Sequence, residues 1–253
     1  MNDYIKHNKE TIARWVAQGW EWSIPMDHAD YIRAKTGDYR LLLTPTIPVP
    51  PQWLGDVRGK LVLALASGGG QQGPILTALG ARVTVLDFSK EQLQKDRDVA
   101  QREGYAIELI EADMTKPLPF DDASFDLIVH PVSNCYIEEV EPVWRECARV
   151  LKSGGLLLAG LDNGINFAVD ETEERITTVL PFNPLKNTEH LARCLAEASG
   201  YQFSHSIEEQ IGGQLKAGFE LLNLYEDYNN TGRLGEMKIP AFWATLAMKK
   251  KAP

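Results

Sequence analysis

From Val57 onward, short apolar runs alternate with amphipathic segments, and this order constrains the fold more than any single motif. A strand-helix repeat builds a parallel sheet covered by helices on both faces. Leu61 to Ala66 is apolar at every position, as expected of a strand buried on both sides. It runs into Ser67-Gly68-Gly69-Gly70-Gln71-Gln72, bare backbone where the chain can turn tightly and a ligand can approach. Gln72 to Leu79 reads as a helix stopped by Gly80, and Arg82 to Leu86 as a second strand closed by Asp87. Ser89 is an N-cap for a helix that stops at Gly104.

The pattern continues with strands at Ala106 to Ile110, Phe125 to Val129 and Leu156 to Ala159. A helix is predicted over Val140 to Leu151, with Ser153-Gly154-Gly155 as its stop. Ser206-Ile207-Glu208-Glu209 is a capping box for a helix ending near Ala217-Gly218. Two strands follow with no crossover helix between them, Phe219 to Tyr225 and Ala241 to Met248, so they must pair antiparallel. One domain with two elaborations is expected. The core is 52–161 with 206–253; residues 1–51 form an aromatic N-terminal cap, and 162–205 form an insertion expected to act as a substrate lid.

Composition narrows the class. A net charge of -9 and a single short basic run, Lys249 to Lys251, argue against nucleic acid as a partner. No apolar stretch is long enough to span a bilayer, and MNDYIKHNKE lacks a secretory apolar core, so the expected compartment is the cytoplasm. Cys135, Cys147 and Cys194 are widely spaced and form no C-x-x-C pair, which argues against a disulfide framework or a zinc site; no metal is expected.

In an open parallel sheet the ligand lies beyond the carboxyl ends of the strands. Asp87 follows Gly68 by nineteen residues, close to the spacing at which a carboxylate accepts from ribose hydroxyls. Asp113, after the third strand, can accept from an adenine amino group. Together with the glycines these describe an adenosine site. The literal G-x-G-x-x-G of Gly68, Gly70 and Gly73 also permits a nicotinamide-dependent dehydrogenase.

PFDDASFDLIVH, EPVWRECARVLKSGGLLLAG and LASGGGQQGP resemble the class I S-adenosylmethionine-dependent methyltransferases, particularly the group that includes the quinone-biosynthesis C-methyltransferases. The resemblance runs from about Leu61 to Gly160 and resumes from Ser206 to Lys249. It implies a doubly wound α/β fold with a seven-stranded, mainly parallel sheet and an antiparallel C-terminal pair. The implied cofactor is S-adenosylmethionine, leaving as S-adenosylhomocysteine after in-line methyl transfer to a small-molecule acceptor. Carried over by position, Gly68, Gly69 and Gly70 flank the cofactor's methionine and ribose portions, Asp87 holds the ribose, and Phe88 lies against adenine. Asp113 and the Met114 amide read the adenine edge, while Ser89, Gln92 and Asn134 complete the implied cofactor set. The chain departs from the family's opening motif at Ala64, where an acidic residue is usual, and at Ala66, where a glycine is usual. Ser67, Gln71, Gln72 or the His130 carbonyl are the alternatives for the missing anchor of the methionine ammonium.

For an acceptor that must lose a proton, His130 and His205 are the candidate bases, each with a structural role as the competing reading. Trp20, Trp22 and Tyr136 are candidates to line the acceptor pocket, since aromatic faces attract desolvated cations. A non-catalytic nucleoside-cofactor-binding protein is the third reading, raised by Ala64 and Ala66. The acceptor and the oligomeric state are not encoded in any recognisable motif.

Overall fold

The computed structural model describes residues 4–250. Lys251, the last residue of the expected basic run, lies outside the described residues. The N-terminal region forms α1 (Tyr4–Ala17), a 3-10 turn at Glu21–Ser23, α2 (His28–Lys35) and α3 (Pro51–Leu54). The repeat then begins with β1 (Leu61–Leu65), α4 (Gln72–Ala78), β2 (Arg82–Asp87), α5 (Lys90–Glu103), β3 (Glu108–Glu111) and β4 (Phe125–His130). It continues through α6 (Glu141–Val150) and β5 (Leu151–Asp162). Short helices α7 (Ile165–Ala168) and α8 (Thr188–Ala196) lie in the insertion. The chain ends with α9 (Gly213–Lys216), β6 (Phe219–Asp227), α10 (Gly232–Glu236) and β7 (Phe242–Lys249).

The sheet has seven strands in the order β3-β2-β1-β4-β5-β7-β6. β1, β2, β3, β4 and β5 are parallel; β7 runs antiparallel between β5 and β6. The expected terminal pair is thus inserted with its later strand inside and its earlier strand at the edge. Strand order reverses between β1 and β4, which places the switch-point crevice directly above the glycine loop.

β1 is apolar throughout because both faces are covered. Leu63 and Leu65 pack with Ile128 and Trp144 on one side, while Val62 and Ala64 pack with Ile75, Leu76 and Trp53 on the other. The local signals also fold as their chemistry dictates. Ser89 Oγ accepts the Gln92 amide at 3.2 Å, and Gly104 ends α5 at φ +73°. The capping box closes in both directions, with Ser206 Oγ accepting from the Glu209 amide and Glu209 Oε2 from the Ser206 amide. One boundary differs. Ser153-Gly154-Gly155 does not end a helix but lies inside β5, which begins at Leu151 where Phe125 pairs with it.

Candidate active site

The chain leaves β1 through Ala66, held at φ +47° with its amide on the Leu86 carbonyl at 2.7 Å. This is the left-handed region that favours glycine, so an alanine here carries backbone strain. Ala64 lies wholly inside the core, among the residues packed with α4. Its methyl completes apolar packing there.

Two aspartates organise the glycine loop. Asp87 Oδ2 accepts the Gly68 amide at 2.9 Å, and its Oδ1 accepts the Ser89 amide at 2.9 Å. Burial pushes the Asp87 carboxyl up to about 6, against the pull of the Ser89, Gly68 and Phe88 amides. Asp96 Oδ2 accepts the Gly69 amide at 3.0 Å and the Gly70 amide at 3.1 Å. Burial, with the neighbouring Asp87 charge adding to it, pushes this carboxyl up to about 7 despite those two amides. Asp96 was not among the sequence candidates. Its signal is a carboxylate on the buried stripe of α5, sharing that face with Leu93, Val99 and Ala100.

The bareness of the loop serves the chain's own backbone as well as a ligand. A Cβ on Gly69 would stand 2.4 Å from the Trp22 carbonyl oxygen, and one on Gly70 would stand 2.8 Å from Pro25 Cβ. The N-terminal segment is laced onto the loop by Gln71 Nε2, which donates to the Glu21 and Ile24 carbonyls, and by Gln92 Nε2, which donates to Trp22. The Met26 amide returns to the Gly70 carbonyl at 2.8 Å.

Above the loop lies a cavity of about 430 Å³, a size suited to a small molecule. Ser67, Gly68, Gln71 and Gln72 form one part of its wall. Asp87, Phe88, Gln92, Asp113 and Met114 form another. Trp20, Trp22 and Tyr136 line the same space, with the Trp15 ring tilted against Trp20 and Tyr136 at centroid distances of 5.2 and 6.4 Å. Ser67 Oγ donates to Gln72 Oε1 at 3.2 Å, while Gln72 Nε2 donates to the Leu42 carbonyl. Gly69, Gly70 and Ser89 support this wall from behind rather than facing the cavity.

The residues present fit an adenosine-bearing cofactor. Acceptor carboxylates stand at the ends of β2 and β3, an aromatic ring follows the first of them, and the glycine between them and β1 has no room for a side chain. A Cβ on Gly68 would meet Gln92 Cβ at 2.6 Å and Asp87 Oδ2 at 3.0 Å.

Neither of the candidate bases, His130 and His205, lines the cavity wall. His130 is fully buried, with Nδ1 3.0 Å from the Leu65 carbonyl and Nε2 2.9 Å from Asn134 Oδ1, and its ring meets Trp144 edge-on at 5.8 Å. Asn134 continues this chain to Gln210 at 2.9 Å and likewise does not face the cavity. His205 Nε2 lies 3.1 and 3.0 Å from the Asn134 and Ile137 carbonyls, and the residue lines a second cavity of about 640 Å³. Burial holds both imidazoles below the usual histidine range, so they are neutral at pH 7. They brace the loop after β4.

A seven-stranded sheet with a reversed terminal strand pair and a carboxylate-lined switch-point crevice is the architecture of a Rossmann-like methyltransferase. The family described as a methyltransferase domain matches residues 63–159. Over 256 aligned residues the chain is 40% identical to the uncharacterized methyltransferase YbaJ of Bacillus subtilis strain 168, an alignment spanning 98% of this chain and 100% of that protein. It is 36% identical over 105 residues to the demethylmenaquinone methyltransferase of Clavibacter sepedonicus, 42% of either chain. Among solved structures, an S-adenosylmethionine-dependent methyltransferase from Mesorhizobium loti superposes with a TM-score of 0.62 over 78% of this chain and 94% of that one, at 21% identity. The chain belongs to the class I S-adenosylmethionine-dependent methyltransferases.

Proposed function

We propose that this methyltransferase binds S-adenosylmethionine in the 430 Å³ cavity and serves a small-molecule acceptor in the cytoplasm of a bacterium. The observation that carries the site is Asp87. Its carboxylate is pinned at the end of β2 by the Gly68 and Ser89 amides, leaving its remaining acceptor capacity for the ribose hydroxyls. Asp113, whose Oδ1 also accepts the Thr115 amide at 2.8 Å, and the Met114 amide are assigned to adenine, with Phe88 against its face. In the absence of an acidic residue at Ala64, the paired Ser67 hydroxyl and Gln72 carboxamide are assigned to the methionine end.

The cofactor, when bound, supplies a methyl on a positively charged sulfur. The chain's own contribution is to hold an acceptor in line with that methyl and keep water away. Trp20, Trp22 and Tyr136 are assigned to this enclosure, with residues 1–51 and 162–205 as the covering segments. Among the described residues no helix is long and apolar enough to cross a membrane. The net charge of -9 favours a small acceptor over nucleic acid.

Calorimetry with S-adenosylmethionine, S-adenosylhomocysteine and NAD tests the reading. Both sulfur ligands are expected to bind and NAD is not. Failure of both to bind at millimolar concentration would overturn the site assignment.

A further inference from the structure

The cavity has a carboxylate at each end. Asp162 closes β5, lines the cavity and is 7% exposed. β2, β1, β4 and β5 lie side by side, so Asp87 and Asp162 stand three strand spacings apart across the sheet, about 14 Å at ~4.8 Å per strand, with Asp162 two residues further along by the register. One ribose cannot engage both. The two share a sheet face, because Asp87 alternates in phase with Val85 and Asp162 with Leu158, and both of those pack in the α4-side core. Asp162 thus faces the same crevice as the ribose carboxylate, on the far side of the switch point.

Among the described residues it has no committed counter-ion. Asp162 Oδ1 accepts the Gly164 amide at 2.6 Å, and its other hydrogen-bond neighbour is the Asn166 side chain; neither is cationic. Burial pushes the carboxyl up to about 6 against those two bonds, so it is ionised at neutral pH and more basic than a surface aspartate. Arg193 also lines the cavity, but its guanidinium is engaged by Glu197 at 2.7 Å and by the Phe167 carbonyl at 2.9 Å. Cys135, Tyr136, Phe167 and Phe242 supply an uncharged wall. Tyr136 and Cys135 lie near enough for the Asp162 charge to help hold the phenol protonated, after burial and Cys135.

We propose that Asp162 receives the methyl acceptor and that the acceptor is an amine on an apolar body, a proposal that rests on the cavity being the S-adenosylmethionine site. A buried, uncompensated carboxylate in an apolar wall favours a hydrogen-bond donor that brings positive charge and rejects an anion. The bound ammonium first passes one proton to the Asp162 carboxylate and on to water, and in the transfer the nitrogen lone pair so freed forms the new C–N bond. The C–S bond breaks with its electron pair left on sulfur, giving S-adenosylhomocysteine. The methylated nitrogen leaves as an ammonium, so one proton is released per transfer.

The test uses the full chain saturated with S-adenosylhomocysteine and three probes of one length, n-hexylamine, hexan-1-ol and hexanoate, titrated by calorimetry. Hexylamine is expected to bind about tenfold or more tighter than hexanol, the size of one charge-assisted hydrogen bond, with hexanoate weakest. Asp162→Asn keeps an acceptor for the Gly164 amide and should abolish that preference while leaving S-adenosylhomocysteine affinity unchanged. Equal binding of amine and alcohol by the wild type, or a preference that survives in Asp162→Asn, overturns the proposal. The wild-type ranking decides the matter even if the variant fails to fold. If S-adenosylhomocysteine binds neither protein, it is the cofactor reading that has failed.

Discussion

Asp96→Asn isolates the carboxylate that shapes the glycine loop. In the wild type one buried oxygen holds both glycine amides, while Oδ1 has no hydrogen-bond partner among the described residues. Burial raises the carboxyl from 3.8 to about 7, so between those pH values the folded state binds more protons than the unfolded chain. Stability from this group is therefore fully present below pH 3.8 and is lost as pH rises through 7. At ~1.4 kcal/mol per pH unit, integration between pH 5 and pH 8 gives a loss of about 2.5 kcal/mol in the wild type. Asparagine keeps the acceptor and cannot titrate. Its NH2 group, placed where Oδ1 stands, costs about 1–3 kcal/mol if unpaired, and that cost is the same at both pH values.

Urea melts of both proteins at pH 5 and pH 8 read this directly. The variant should gain about 2.5 kcal/mol relative to wild type on going from pH 5 to pH 8, whatever its absolute stability. Asp87 is present in both proteins, so its own titration cancels to first order. A stability difference that does not change with pH would refute the reasoning, because it would mean that Asp96 is already ionised at pH 5 in the folded state.

Two other predictions follow from the same loop. Asp87→Asn should weaken S-adenosylhomocysteine binding by about tenfold or more, and wild-type affinity should fall as pH drops through about 6 and the carboxyl protonates; calorimetry between pH 5 and pH 8 checks both, and a flat profile contradicts the ribose role. Alanine is the harsher change here, because it would leave the Gly68 and Ser89 amides without their acceptor. Ala66→Gly relieves a left-handed alanine, a strain of about 1–2 kcal/mol set against about 0.4–1 kcal/mol of added unfolded-chain freedom. The melting temperature should rise by about 2 °C, and a fall would show that the Ala66 methyl contributes more to packing than its backbone loses.

Most of the frame was legible because its signals are local. Ser89, Gly104 and the Ser206–Glu209 box each satisfy backbone groups within a few residues, and the alternation of elements carries the layering. The glycines at 154 and 155 misled because a glycine pair marks a bend without saying which element bends. Here the chain passes from α6 straight into β5, and Gly154, at φ +78°, bends the strand. Asp96 and Asp162 were missed for a different reason. Neither sits in a motif; one lies on a helix face and the other opens an insertion, and each becomes a site residue only through what the fold brings beside it.

His130 shows that the face of a strand end matters as much as its position. It closes β4 on the ligand-bearing edge, yet two-residue alternation puts it in phase with Ile128, which packs against Trp144 on the α6 side. Its ring is consequently carried under the sheet, onto Trp144 and the Leu65 carbonyl. Asp87 and Asp162 close their strands in the opposite phase, with Val85 and Leu158, and both reach the cavity. The same parity is available from sequence once one residue of each strand is assigned to a face. Applied to β4 and β5 together, it moves the proton acceptor from the histidine at 130 to the aspartate at 162. It also explains why a titratable residue at the end of a central strand can stay locked in structure while a less conspicuous one two residues past a glycine faces the reaction.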